Sequence, residues 1–185
     1  MKIEIVSGSP RVESVTRRVA LHLLQRLRYN DDVEVGLINV RKFILPPVEN
    51  VIASPDMAPD HLQPLATRIF EANAFILVTP EYNGGYSPAM KNLFDHFPKQ
   101  NHKVFGIVAA SPGAMGGIRA ALAVQHLVYG LFGIGSPHML IVPEVDKKFA
   151  PDGTLNDGSF EHQINQFVRE LLWLTRNVAL TEATA

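Results

Sequence analysis

The chain has 185 residues, a formal net charge of −1 and no cysteine. Such a length supports one domain with a well-buried core. Near neutrality gives no electrostatic case for a nucleic acid or a membrane surface, and the lack of cysteine excludes disulfides, thiol redox chemistry and cysteine metal sites.

The first strand expected, at residues 2–6, starts almost at the N-terminus, which leaves no room for a signal peptide and suits a cytoplasmic protein. It runs into Ser7-Gly8-Ser9-Pro10-Arg11-Val12-Glu13-Ser14-Val15-Thr16-Arg17. A buried strand that ends in small hydroxyl residues and a cation, then feeds a helix, forms an anion cradle. Backbone N–H groups and the positive end of the helix face the charge. Ser9, Ser14 and Thr16 add neutral donors, and Arg11 or Arg17 can grip two phosphate oxygens. Ser9 and Ser14 alone would read as a turn residue and a helix cap; Arg11 and the strand–loop–helix setting favour phosphate.

The helix that follows carries Val15, Val19, Ala20, Leu23, Leu24 and Leu27 on one stripe. A second strand is expected at residues 33–38. Residues 41–59 are irregular, with Pro46, Pro47, Pro55 and Pro59, and read as a long loop beside a ligand crevice. A helix bearing Leu62, Leu65, Ala66, Ile69 and Phe70 leads to a third strand at 74–79. Next comes Thr79-Pro80-Glu81-Tyr82-Asn83-Gly84-Gly85-Tyr86-Ser87-Pro88. Asn-Gly-Gly permits positive φ and close approach of the backbone to a flat ligand. Tyr82 and Tyr86 can stack on a ring or line a subunit contact. Ser87 and Pro88 are the cap and first residue of a helix with Met90, Leu93, Phe94 and Phe97 on its stripe.

A fourth strand at 104–109 leads into Ser111-Pro112-Gly113-Ala114-Met115-Gly116-Gly117, a donor-rich rim. Residues 118–132 form a helix apolar over much of its circumference, on which His126 and Tyr129 mark an interface; a homodimer or homotetramer is expected. The fifth strand is placed at 138–142. The last helix carries Ile164, Phe167, Val168, Leu171 and Leu172, and residues 181–185 read as a frayed tail. Alternating buried strands and helices specify an α/β fold of flavodoxin type. It is a doubly wound, five-stranded parallel sheet of order 2-1-3-4-5 with helices on both faces. The histidines are scattered without metal-ligand spacing, so no metal site is expected.

Three loops rich in glycine, serine and proline thus follow the central strands at the carboxyl edge, where ligands of open parallel sheets bind. Their order, G-S-x-R-x-x-S, then P-E-Y-N-x-x-x-P-x-x-x-K-N-x-x-D, then S-x-G-x-x-G-G, resembles the NADPH-dependent FMN reductase family, which includes quinone, chromate and azo-dye reductases. The matching residues are Gly8, Ser9, Arg11 and Ser14; Pro80, Glu81, Tyr82, Asn83, Pro88, Lys91, Asn92 and Asp95; and Ser111, Gly113, Gly116 and Gly117. The stretch 149–157 also resembles the family's segment before the last helix. The resemblance implies FMN, its phosphate on Ser9, Arg11, Ser14 and Thr16, its ring near Pro80, Glu81, Tyr82, Asn83 and Gly84 and near Ser111, Gly113, Gly116 and Gly117.

It further implies NADPH or NADH as donor and a small acceptor, with no obligatory catalytic side chain because the cofactor carries the chemistry. In this motif the backbone of Glu81 matters rather than its carboxylate, and Lys91, Asn92 and Asp95 support their helix and subunit packing. Two departures stand out: Thr16, where many relatives carry Asn, and Pro10, which removes a backbone donor. The rival function is an electron carrier of flavodoxin type without NAD(P)H activity; such carriers tend to be strongly acidic, and this chain is not.

Overall fold

The computed structural model describes residues 1–182. Strands β1 (Lys2–Ser7), β2 (Glu34–Asn39), β3 (Ala74–Thr79), β4 (Val104–Ala110), β5 (Ile134–Gly135) and β6 (Leu140–Val142) form one sheet. Its order is β2-β1-β3-β4-β5, with β6 also on β4, and every pairing is parallel. In register, Ile5 lies beside Leu37 on one side and Ile76 on the other. The flavodoxin-like order expected from the sequence is therefore present.

The edge is more broken than expected. The fifth position is shared: β5 pairs with Val104 and Phe105, and β6 with residues Val108–Ala110. Between them the Ser136 N–H still reaches the Phe105 carbonyl at 2.8 Å, but Pro137 has no N–H to continue the ladder. The strand expected at 138–142 accordingly starts at Leu140, and the sheet counts six strands rather than five.

Helices α1 (Val15–Leu27), α2 (Gln63–Glu71), α3 (Pro88–Asp95), α4 (Ile118–Gly130), α5 (Val145–Lys148) and α6 (Glu161–Glu182) cover the sheet. Strands β1, β3 and β4 are almost wholly buried, which explains their unbroken apolar sequences. In β4, Phe105, Ile107 and Ala109 pack with Leu65, Ile69, Leu93, Phe94 and Val124 from α2, α3 and α4. Val104, Val108 and Ala110 pack with Val19, Leu23, Ile164, Phe167 and Leu171 from α1 and α6. Each such fully buried Leu or Phe contributes about 1.5–3 kcal/mol relative to exposure.

One charge pair sits inside this frame. Glu4, on central strand β1, is nearly buried and takes a two-point contact from Arg68 of α2, with Nε 2.8 Å from Oε1. It lies opposite Gly36, whose missing side chain leaves room for the carboxylate. Of the tail expected at residues 181–185, Thr181 and Glu182 continue α6, and 183–185 lie outside the described residues. Among the described residues no helix is long and apolar enough to cross a membrane.

Candidate functional site

The three loops meet at the carboxyl edge of the sheet. The Gly8 N–H donates to the Val78 carbonyl at 2.9 Å, and the Ser87 hydroxyl donates to the Gly8 carbonyl, so the loop after β1 is tied to the loop after β3. Ser87 also accepts from the Met90 N–H at 3.1 Å and so caps α3, while its own N–H reaches the Thr79 hydroxyl at 3.3 Å. A methyl group at Gly117 would lie 3.6 Å from Cβ of Glu81, which sets the third loop against the second. The third loop is held from below by Ser111 N–H on the Val142 carbonyl (3.1 Å) and Val145 N–H on the Ser111 carbonyl (3.2 Å).

In the first loop, Ser9 is buried and its Oγ accepts from the Arg11 N–H at 3.4 Å. Ser14 caps α1 by accepting from the Arg17 N–H at 3.2 Å. Thr16 is buried, and its hydroxyl donates to the Ala110 carbonyl at 3.4 Å, which joins α1 to the end of β4. The Arg11 guanidinium lies 4.8 Å above the Tyr82 ring, a cation–π contact between the first and second loops.

The second loop folds back on itself. Tyr82 and Gly85 exchange backbone hydrogen bonds of 2.8 and 3.0 Å around Asn83 (φ 53°) and Gly84 (φ 82°), the geometry of a type I′ turn. The Glu81 carboxylate stands 4.0 Å from Arg119 in the first turn of α4. Burial pushes the Tyr86 phenol above its ordinary pKa, only partly opposed by Lys91, so it stays neutral. In the third loop, Gly113 N–H donates to Ser111 Oγ at 3.0 Å. Gly116 and Gly117 both have positive φ, and Gly117 starts α4 without a side-chain cap. The first N–H of that helix, that of Ile118, donates to the Met115 carbonyl at 3.2 Å.

These features suit an anionic, planar group. Donors and cations predominate in the first loop, and glycines open the third. Among the described residues, two buried hydroxyls at this edge, Ser7 Oγ and Tyr82 Oη, have no hydrogen-bond partner.

Two parts of the site were not visible in the motifs. One is the pairing of Ser87 with Gly8, which a helix cap alone does not announce. The other is a groove of about 990 Å³ between α3 and the segment after β2. Of the stretch expected to be irregular at 41–59, which carries short 3-10 turns at its start and at Pro55–Met57, only the first part, to Pro47, lines this groove. The Asn92 amide on the Leu45 and Pro46 carbonyls (3.1 and 3.0 Å) and the Ile52 N–H on the His96 carbonyl (2.8 Å) hold the stretch to α3. Lys91 pairs with Asp95 on the same helix, 2.5 Å apart.

The model of the family described as NADPH-dependent FMN reductase matches residues 1–146. The chain belongs to that family. Membership brings the chemistry of an FMN-dependent, NAD(P)H-linked oxidoreductase. The FMN-dependent NADPH-azoreductase of Staphylococcus saprophyticus is 29% identical over 185 residues, covering 96% of each chain. Among solved structures, FerB of Paracoccus denitrificans, a flavoenzyme NAD(P)H:(acceptor) oxidoreductase, superposes with a TM-score of 0.76 at 22% identity, over 95% of this chain and 97% of that one. A flavodoxin variant from Pseudomonas aeruginosa has a TM-score of 0.58 at 21% identity, over 92% and 99%. Both structural likenesses speak to the fold.

Proposed function

We propose that residues 1–185 act as one FMN-binding domain that oxidises NADPH or NADH and reduces a small acceptor such as a quinone, a free flavin, chromate or an azo compound. The observation that carries this reading is the meeting of three loops at one sheet edge, sealed by Ser87 on Gly8 and by Gly117 against Glu81. FMN, when bound, supplies hydride acceptance and electron transfer. Ser9, Arg11, Ser14 and Thr16 hold its phosphate, and α1 adds the favourable end of its dipole.

The backbone of Pro80, Glu81, Tyr82, Asn83 and Gly84 flanks one part of the ring, with Ser111, Gly113, Gly116 and Gly117 at another. The unpartnered Tyr82 hydroxyl would be available to a polar atom of bound FMN. No side chain needs to act as acid or base; the protein orients the reactants and excludes water. One crevice serving nicotinamide and acceptor in turn gives ping-pong kinetics. Exposed Leu122 and Tyr129 on α4, with Met115 and Phe132 beyond its ends, support association of this chain with itself, as a homodimer or homotetramer in the cytoplasm.

The test is direct. Added FMN should lose fluorescence on binding, and the loaded protein should oxidise NAD(P)H when an acceptor is present. No binding and no oxidation would sink the proposal. Stopped-flow mixing with NADPH separates it from the carrier reading: a bound flavin that stays oxidised favours the carrier.

A further inference from the structure

The groove beside α3 has no part in holding FMN under this reading, yet it opens from the same sheet edge. Pro10 of the first loop and Pro88, which closes the second, both line it. Its walls are apolar and partly aromatic, with Val40, Phe43, Leu45 and Leu93 prominent, and its size is that of a nucleoside-scale site. Most polar groups in it are committed. Lys91 holds Asp95, so no bare carboxylate faces the space, and the Asn92 amide is spent on two carbonyls.

Arg41 is the exception. Its backbone is fixed in a short 3-10 turn, Val40–Lys42, where Asn39 Oδ1 accepts from the Arg41 N–H at 3.1 Å. Its side chain lines the groove and is exposed, and among the described residues no carboxylate pairs with it. An exposed guanidinium lining a mostly apolar groove has the geometry to grip a phosphate whose apolar, flat remainder occupies the groove. NADPH differs from NADH by one such phosphate, on the adenosine ribose.

We propose that this groove receives the adenosine half of NADPH and that Arg41 clamps its 2′-phosphate, making Arg41 a determinant of NADPH preference over NADH. The inference rests on the reading of the chain as an NAD(P)H oxidoreductase.

Two measurements on the FMN-loaded protein test it. In calorimetric titrations, wild type should bind 2′,5′-ADP about tenfold or more tightly than 5′-ADP, and Arg41→Gln should bind both alike. Ile44→Glu, which sets a carboxylate on the exposed wall, should weaken 2′,5′-ADP as well. In steady-state assays, the ratio of kcat/KM for NADPH to that for NADH should fall about tenfold in Arg41→Gln. A wild type indifferent to the 2′-phosphate, or a ratio that survives the substitution, overturns the assignment. If the loaded protein oxidises neither nucleotide, the oxidoreductase reading fails, while the titrations still decide the groove. If it oxidises both equally well, the Arg41 assignment alone falls.

Discussion

The Ser87 hydroxyl donates to the Gly8 carbonyl across the crevice and at the same time accepts the Met90 N–H that opens α3. One buried side chain thus fixes the distance between the anion loop and the second loop. Ser87→Ala leaves the Gly8 carbonyl without its partner and the Met90 N–H with only the residue-87 carbonyl at 3.2 Å, at a cost of about 1–3 kcal/mol. Urea denaturation should register that loss, and fluorescence titration should show weaker FMN binding because the first loop is no longer held. An unchanged FMN affinity would mean that this tie is structural only.

Gly116 and Gly113 sit three residues apart in the third loop but differ in what a methyl group would meet. At Gly116, φ is +60° and a Cβ would lie 2.7 Å from both the Pro143 nitrogen and Ile141 Cγ2. At Gly113 the nearest atom is Ser111 Oγ at 3.4 Å. Gly116→Ala should therefore cost about 2 kcal/mol or more through left-handed strain and backbone contact. Gly113→Ala should stay within about 0.5 kcal/mol of wild type. Parallel thermal melts check the ranking; equal losses would contradict it.

Tyr82 carries a buried hydroxyl with no partner among the described residues, under the Arg11 guanidinium. A buried, unsatisfied hydroxyl stabilises nothing, so Tyr82→Phe should leave the FMN-free protein as stable as wild type or slightly more so. If that hydroxyl pairs with FMN, the same change should weaken FMN binding about fivefold to tenfold and shift the absorbance of the bound flavin. Loss of stability without any effect on FMN would assign the hydroxyl to the fold instead.

The alternation of strands and helices was legible because β1, β3 and β4 are buried on both faces, which forces continuous apolar runs such as Ala74–Thr79. Ile134–Gly135 was not legible: two residues between Gly133 and Ser136 carry no periodicity, and only Val104 and Phe105 alongside make them a strand. The glycines and hydroxyls of the three loops announced themselves by composition. Their ties did not, because Ser87 meets Gly8, Thr16 meets Ala110 and Arg11 meets Tyr82 only once the sheet has brought distant segments together. The long loop at 41–59 announced a crevice beside it, but not which residues line it, for a related reason. The groove's outer wall, Phe43 to Pro47, has neither helical nor strand periodicity, and its shape is set by α3.

His22 on α1 provides a pH-dependent test of the back of the fold. Its Nδ1 lies 3.0 Å from the Gly153 carbonyl, its ring meets Phe149 edge-on, and its Nε2 is buried without a partner among the described residues. Burial lowers its pKa below the ordinary 6.5, against the opposing pull of the Gly153 carbonyl and of Glu161. The sign follows from linkage. Above about pH 6.5 the ring is neutral in both folded and unfolded chains, and its contribution is flat. As the pH falls below that value, the unfolded chain takes up a proton that the folded chain refuses, so stability declines until the folded pKa is reached. Urea midpoints measured at pH 7.5 and pH 5.5 should therefore drop more in wild type than in His22→Gln, which removes this titration and leaves the other six histidines in place. Equal drops in the two proteins would show that His22 does not carry the effect.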